Sequence, residues 1–386
     1  MKHVVRTSIL SRRWRHLWKS LQYLNFDHNL FSSISIRQQS RKREQSFTNF
    51  VSRALFLRNH RTDIVKFNIS CDEHCCVDSL TAWILVAISH NIEEVQLQAF
   101  RDIDIRLPRE IYICNSLQTL KLKSNSFGLS TLTLPGSVSL PLLKYLSFES
   151  ISFINEKSIS NFLSGCPVLE KLFFHYCNFR PLKYLLVSSL LLKELVIESD
   201  DDYDSECHFT IDTPNLKYFR CGRSIRNEYI LLDMPSLDKG NIGRRIIDEM
   251  DFIYNRMESD MAMAMSILGS FREEYAQRMM KILRSLGKAK DLSLSPWAVE
   301  ESFYSKSDTG KPEPEFTSCH LKSVEISNFL GCENELRFLR FLLKNAMKLE
   351  KIIITSSNLA TVKRKRKWRT IKSFLRDSPS IMAVVT

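Results

Sequence analysis

The sequence predicts an α/β solenoid: a curved parallel β-sheet built from stacked repeats whose return segments are helices or irregular turns. Three observations support this prediction. A short apolar pattern recurs at a nearly constant spacing, no apolar run approaches the length of a membrane span, and the composition is that of a globular protein. The chain has 386 residues, 44% hydrophobic and 25% charged. A chain of this length buries roughly three quarters of its unfolded surface, so its core needs no disulfide or metal.

The recurring pattern is apolar-x-x-apolar-x-apolar. Its last two apolar residues are two positions apart, so in a strand they point to the same side. One unit is too small to bury that side alone, whereas stacked units bury it in a continuous core. The first seven units begin 28, 25, 26, 26, 23 and 24 residues apart, which is the period of leucine-rich repeats. The pattern begins at Ile64, Ile92, Leu117, Leu143, Leu169, Leu192, Leu216, Ala289, Leu321 and Leu349.

The segments between these units define the remaining elements. A weaker unit is predicted at Leu237, and helical returns are predicted at 158–164 and 336–345. Residues 244–287 interrupt the period; they are rich in Met, Glu, Arg and Ile without proline, which predicts one or two helices. The alternative, an ordinary sheet of unrelated strands, is disfavoured by seven evenly spaced units.

Residues 8–21 predict an amphipathic helix. Leu10, Trp14, Leu17, Trp18 and Leu21 fall on one stripe of that helix, the pattern of an element with a single apolar face. Two tryptophans on so short a helix need a large surface, which is either the body of the chain or a partner.

The formal net charge of +12 is concentrated at the two ends. Residues 1–60 hold 12 Lys and Arg against 2 Asp and Glu, and residues 361–386 hold 8 against 1, so the body between them is acidic. Nucleic-acid binding favours a cationic stripe along one face, and two basic ends do not indicate such a stripe. The run from Lys363 to Lys367 is interpreted as a solvated turn, with a nuclear import signal or a phosphate-contacting patch as the alternative.

The sequence predicts no catalysis, cofactor or metal. It has no nucleotide-binding, zinc-protease or serine-hydrolase motif, and its nine histidines are scattered. Cys71, His74, Cys75 and Cys76 form one cluster, but no second pair of ligands follows at zinc-site spacing, so structural cysteines are favoured over a metal site. Without an export signal the thiols are expected to be reduced and the protein to be cytoplasmic or nuclear.

Several segments resemble plant F-box/leucine-rich-repeat/FBD proteins. Val5 to Trp18 resembles the second half of a plant F-box, and Cys319 to Val324 with Gly331 to Leu336 resembles the start of the FBD domain. Further matching segments are Asn25 to Asp27, Phe50 to Leu55, Ser164 to Glu170, Leu342 to Ala346, Leu349 to Lys351 and Arg376 to Ser380.

The resemblance implies a division of the chain. Its parts are a partial F-box at 1–27, a helical connector at 28–63, leucine-rich repeats at 64–295 with the helical insertion 244–287, a linker at 296–318 and an FBD domain at 319–386. We expect the FBD domain to supply the last strand–helix units of the same stack.

The resemblance also implies a function. Such proteins are non-catalytic substrate-recognition subunits of cullin-type (SCF) ubiquitin ligases, in which the F-box binds a Skp-family adaptor and the repeats bind a protein substrate. Adaptor binding is expected at Leu10, Trp14, Leu17 and Trp18. Because Met1 lies inside the F-box pattern, we expect weak or absent adaptor binding and a helix folded back on the first repeat. The alternative is a stand-alone repeat scaffold, or a nucleic-acid-associated protein, without a ligase link.

Substrate binding is predicted on the concave face of the sheet, where the residues that flank the buried pair of each strand point. Phe173 and Tyr218 are the predicted aromatic anchors; the alternative is that they only stack on neighbouring strands. The predicted face comprises Gln96, Gln98, Lys121, Lys123, Phe173, His175, Glu194, Glu198, Tyr218 and Arg220.

Overall fold

The fold is taken from a computed structural model of the chain, which divides into two compact units. Unit 1 comprises Met1–Leu192 with Ser199–Ser205, and unit 2 comprises Lys193–Glu198 with Glu206–Thr386. The residues that the structure describes are 1–9, 12, 16–31, 40–71, 76–99, 105–124, 130–199, 206–222, 227–243, 277–295, 298–299, 318, 320–327, 329, 332–355 and 381–385.

Unit 1 contains four α-helices and nine strands among the described residues. The helices are α1 (Lys2–Arg6), α2 (Ser40–Leu57), α3 (Val77–Ile88) and α4 (Glu156–Ser164), with short 3-10 helices at Thr7–Ile9, Leu17–Ser20, His28–Phe31 and Arg109–Ile113. The strands are β1 (Tyr23–Asp27), β2 (Lys66–Ser70), β3 (Glu94–Ala99), β4 (Thr119–Ser124), β5 (Ser130–Thr131), β6 (Tyr145–Glu149), β7 (Ile151–Ser152), β8 (Lys171–Cys177) and β9 (Tyr184–Ser188).

The main sheet of unit 1 is parallel, with the strand order β1-β2-β3-β4-β6-β8. Each strand pairs with that of the preceding repeat, and equivalent repeat positions face each other: Leu120 is paired with Leu146, and Leu146 with Leu172. Because the register keeps the same repeat position aligned from strand to strand, the strands belong to one repeating system, as predicted.

Unit 2 is built in the same way. Its strands are β10 (Glu194–Ser199), β11 (His208–Asp212), β12 (Tyr218–Gly222), β13 (Glu228–Leu231), β14 (Lys239–Ile242), β15 (Asp291–Leu294), β16 (Ser323–Ile326), β17 (Lys351–Ile354) and β18 (Met382–Val385). Its described helices are α5, which includes residues 277–286, and α6 (Glu333–Asn345). The main sheet is parallel, with the order β10-β12-β14-β15-β16-β17-β18.

The apolar positions of the pattern form the core. In β4 the exposure alternates along the strand, with Leu120 and Leu122 buried and the lysines between and after them half-exposed. The first apolar position of each unit, such as Leu117, is also buried. All ten predicted patterns coincide with strands of the two main sheets, and the weaker unit at Leu237 supplies β14.

The predicted helical returns are confirmed. Helix α4 begins after Asn155, whose side chain accepts a hydrogen bond from the backbone N–H of Ser158 at 3.0 Å, and it ends at Gly165. Helix α6 begins after Cys332, whose backbone N–H donates to Glu335 Oε2 at 2.9 Å. Both N-termini therefore satisfy donors that a helix leaves without an internal partner. In the insertion 244–287 only the part from residue 277 is described, and it is helical up to residue 286.

The prediction of one helix over residues 8–21 is wrong where the structure describes it. Thr7–Ile9 and Leu17–Ser20 are separate 3-10 helices, and Leu21 is extended. The chain is extended from Leu21 onward because it joins the sheet there. The backbone N–H of Lys66 donates to the carbonyl of Gln22 at 3.1 Å, and β1 follows. Leu10 and Trp14 lie outside the described residues.

A buried arginine holds this entry to the sheet. Arg58 is only 4% exposed, and its Nη1 donates to the carbonyl of Thr62 at 2.8 Å. Its Nη2 donates to the carbonyls of Leu21 and Asp63, each at 3.2 Å. Burial lowers the pKa of the Arg58 guanidinium. The side chain thus ties the turn after α2 to the segment that leads into β1.

Candidate recognition surface

The open face of unit 1 consists of the alternate strand positions that point away from the core. Strand side chains alternate between the two faces of a sheet, so burial of the leucines places their neighbours on the other side. The structure places all six predicted residues of this unit there, and all six are half-exposed. They are Gln96, Gln98, Lys121, Lys123, Phe173 and His175.

The strand register sorts these side chains into rows. One row runs through Gln96, Lys121, Ser147 and Phe173 on four adjacent strands. The next runs through Gln98, Lys123, Glu149 and His175 in the same order. Since adjacent strands lie about 4.8 Å apart, each row is a continuous strip of side chains.

Ion pairs order the charged members of the face. Glu94 Oε1 lies 2.8 Å from Lys66 Nζ and 3.7 Å from Lys121 Nζ, so one carboxylate is shared by two ammonium groups. Lys123 Nζ lies 2.7 Å from Glu149 Oε1. All these groups are a quarter to two fifths exposed. Exposed pairs contribute little to stability, so their main effect is to orient the side chains.

An aromatic group lies beside Lys121, one of the two lysines that share the Glu94 carboxylate. The rings of Tyr145 and Phe173 are 5.1 Å apart, and the ring of His175 stacks on Phe173 at 5.8 Å. Lys121 Nζ lies 4.9 Å from the centre of the Tyr145 ring, within the range of a cation–π contact. Phe173 therefore does stack on a neighbouring strand, and it stays half-exposed on the same face.

The four predicted residues of unit 2 lie on β10 and β12. Glu194 is paired in register with Tyr218, and both are half-exposed. Arg220 Nη2 lies 2.9 Å from Glu198 Oε1, and the side chain of Glu198 is only 8% exposed. Glu198 thus lies in a largely buried ion pair, while Tyr218 and Arg220 present surface.

The two described residues of the predicted adaptor contact differ in exposure. Leu17 is 61% exposed, whereas Trp18 is only 8% exposed. The backbone N–H of Asn59 donates to the carbonyl of the next residue, Lys19, at 2.8 Å. The tryptophan is therefore packed within the chain, and the leucine faces outward.

The described residues hold no group of three or more His, Cys, Asp or Glu arranged for a metal ion. Of the Cys71 cluster, His74 and Cys75 lie outside the described part of the chain, Cys71 is buried and Cys76 is exposed. Burial raises the pKa of the Cys166 and Cys221 thiols to about 12, which makes them poor nucleophiles at neutral pH.

Two residues that the sequence prediction omitted help to form the open face. Tyr145 and Ser147 lie on β6 between the predicted lysines and the predicted aromatics. The signal for them was available, since they flank Leu146 as Lys121 and Lys123 flank Leu122. Among the described residues, no helix has the length and apolar character to cross a membrane.

The parallel strands, the aligned repeat positions and the 23–28-residue spacing define the class: this is a leucine-rich-repeat protein. Residues 80–229 match the family model of the leucine-rich repeats of FBD-associated F-box protein At5g56370, and residues 313–354 match the FBD model. Residues 80–229 are therefore similar to the repeats of an FBD-associated F-box protein and residues 313–354 to an FBD domain, which confirms the resemblance to plant F-box/leucine-rich-repeat/FBD proteins.

The similar curated proteins are from Arabidopsis thaliana. F-box/LRR-repeat protein At3g59200 is 28% identical over 92% of this chain and 65% of its own length. F-box/LRR-repeat protein At3g59210 is 30% identical over 64% of this chain and 50% of its own length. Putative F-box/FBD/LRR-repeat protein At1g66290 is 30% identical over 62% and 50%, respectively. The chain thus spans about half to two thirds of the length of these relatives. A solved Bacteroides fragilis protein covers 92% of this chain and 84% of its own at 13% identity and a TM-score of 0.32.

Proposed function

We propose that this chain is a non-catalytic substrate-recognition subunit of a cullin-type (SCF) ubiquitin ligase, active in the cytoplasm or the nucleus. The observation that supports the proposal most is the open face of unit 1, where Lys121, Tyr145 and Phe173 form a continuous array. Aromatic side chains in such arrays are typical anchors of protein interfaces. The repeats that present the array match those of an F-box protein.

In this role the chain makes and breaks no bonds itself. It holds a substrate protein on the repeats and an adaptor at the N-terminal segment, so the substrate stays close to the ligase. Tethering converts the encounter of substrate and ligase into an intramolecular event with a high effective concentration. Substrate choice then depends on the side chains of the open face.

On the adaptor side we propose weak binding. Binding energy concentrates in a few buried anchors, and of the proposed contact Leu10, Trp14, Leu17 and Trp18, the second tryptophan is already packed within the chain. Of the two described residues of this contact, Leu17 is the one that is exposed. A titration of purified Skp-family adaptor tests this, with a chimera that carries the complete F-box of a relative as the comparison. Submicromolar binding by the unmodified chain would contradict weak binding, and failure of both proteins would contradict the ligase link.

On the substrate side the test is quantitative capture. Proteins retained from a plant extract are identified with the natural chain and with a Phe173→Ala, Tyr218→Ala double variant. Tyr184→Ala is the matched control, because Tyr184 is 62% exposed on β9, outside the main sheet. We expect specific proteins to be lost with the double variant and kept with the control. Capture that the double variant leaves unchanged would overturn the proposed face.

A further inference from the structure

Ser147 leaves a notch in the open face of unit 1. It lies on β6 in the row between Lys121 on β4 and Phe173 on β8. The two flanking strands are about 10 Å apart, because each neighbouring pair is separated by about 4.8 Å. The long side chains of Lys121 and Phe173 thus lie on either side of the short side chain of Ser147.

The other borders of the notch come from the same strand. Tyr145 and Glu149 lie two residues before and after Ser147 and point to the same face. The ring of Tyr145 leans toward Phe173 at 5.1 Å, with 32° between the ring planes. The notch therefore has an aromatic wall on one side. A further aromatic ring can pack against this wall in the offset or edge-to-face arrangement that aromatic pairs prefer.

The opposite side of the notch is cationic. Lys66 and Lys121 share the single carboxylate of Glu94, so this trio carries one net positive charge. Lys123 and Glu149 form a pair of their own and add no net charge. A ligand with a carboxylate next to the aromatic wall would supply the missing negative charge, and partly desolvated pairs of this kind favour the complementary partner over a like-charged one.

We propose that the notch over Ser147 receives an aromatic side chain from an acidic peptide segment of the substrate, whose neighbouring carboxylate pairs with Lys121. This rests on the proposed function, because it names the substrate chemistry of the same face. The aromatic side chain lies against Tyr145 and Phe173, while the carboxylate approaches the lysine pair. The register of the substrate is set by the distance between the aromatic wall and the lysines.

The test uses an array of short synthetic peptides, each with one aromatic or aliphatic residue beside one acidic, basic or neutral residue in a Gly/Ser background. The full chain is applied to the array, and binding is measured again in solution for the strongest peptides. We expect the peptides with Phe, Tyr or Trp beside Asp or Glu to bind best. Ser147→Trp fills the notch and should weaken them roughly tenfold or more, as expected for the loss of a central anchor site.

Ser293→Trp is the matched control. Ser293 lies at the equivalent alternate position of β15 in unit 2 and is half-exposed, so the same substitution there should leave the peptides bound. Lys121→Met should remove the preference for an acidic neighbour and keep that for the aromatic residue. Circular dichroism and the unfolding midpoint of each variant show whether it is folded.

Three results would overturn the inference. The first is an array without preference for aromatic or acidic residues, and the second is equal weakening by the two tryptophan substitutions. The third is substrate capture that depends on Phe173 while the array shows no acidic preference; it removes this inference and leaves the proposed function standing. Loss of the proposed function itself is recognised separately, since capture would then be unaffected by Phe173→Ala and Tyr218→Ala.

Discussion

The substitution Leu172→Ala tests the repeat register at its centre. Leu172 on β8 is fully buried and is paired with Leu146, which is also fully buried. The change removes three carbons, and at about 0.8 kcal/mol each the lost transfer free energy is about 2.4 kcal/mol. The cavity that remains adds to this, so we expect the free energy of unfolding to fall by about 3–4 kcal/mol, within the usual range for such changes.

Urea unfolding followed by circular dichroism measures this change. Leu186→Ala is the matched control: Leu186 lies in the same unit on β9 and is 50% exposed. The identical chemical change there should alter the free energy of unfolding by about 0.5 kcal/mol or less. Equal effects of the two substitutions, or an unchanged midpoint for Leu172→Ala, would refute the assignment of Leu172 to the core position of its repeat.

Three further predictions concern buried and paired groups. Arg58→Met should lower the free energy of unfolding by about 3 kcal/mol, because the carbonyls of Leu21, Thr62 and Asp63 lose the charged donor that they share; an unchanged urea midpoint would contradict this. The hydrogen bond from Lys281 holds the pKa of Glu228 below its ordinary value, so its stabilisation is complete above about pH 4.3 and is lost as the pH falls through the lowered pKa. Glu228→Gln should flatten that acid dependence in urea titrations, and an unaltered pH profile would count against it. In the native chain at about pH 8, iodoacetamide should modify exposed Cys76 and spare buried Cys221, whose thiol pKa is raised; mass spectrometry showing the reverse order would refute this.

The main sheet could be predicted from the sequence because every repeat has the same need to bury its apolar strand positions. Two apolar residues two positions apart need a shared core, and ten such patterns became strands. Strand β1 was missed although Leu21, Leu24 and Phe26 fit the same apolar pattern, because Leu21 was assigned to the N-terminal helix and the segment to the F-box. The pattern also begins 43 residues before the next unit, at Ile64, so it falls outside the regular spacing.

For the N-terminal segment the error was the reverse: a helix was predicted where the described residues form short 3-10 helices. The apolar stripe from Leu10 to Leu21 fits a helix by spacing, and helix propensity is a weak guide where tertiary contacts compete. Here the backbone carbonyls of Lys19 and Gln22 accept hydrogen bonds from the N–H groups of Asn59 and Lys66. The segment around Leu17 and Trp18 is a single 3-10 turn.

The candidate surface could be predicted in outline only. Alternation along β4 and β8 places Lys121 and Phe173 on the open face, whereas their proximity across β6 depends on the register. The position of Ser147 on the open face follows from the alternation along β6, whereas the notch depends on the larger side chains that the register places on either side of it. Burial of Glu198 by Arg220 is likewise a matter of side-chain packing.

The central claim is that this chain delivers a substrate held on the open face of unit 1 to a ubiquitin ligase. Its most direct test is reconstituted ubiquitination of a captured and identified protein, with purified adaptor, cullin and the chimera that carries a complete F-box. The account predicts ubiquitin transfer with the natural face and with Ser293→Trp, and its loss with Ser147→Trp. Ubiquitin transfer that persists with Ser147→Trp and with Phe173→Ala, or none with any form, would contradict it.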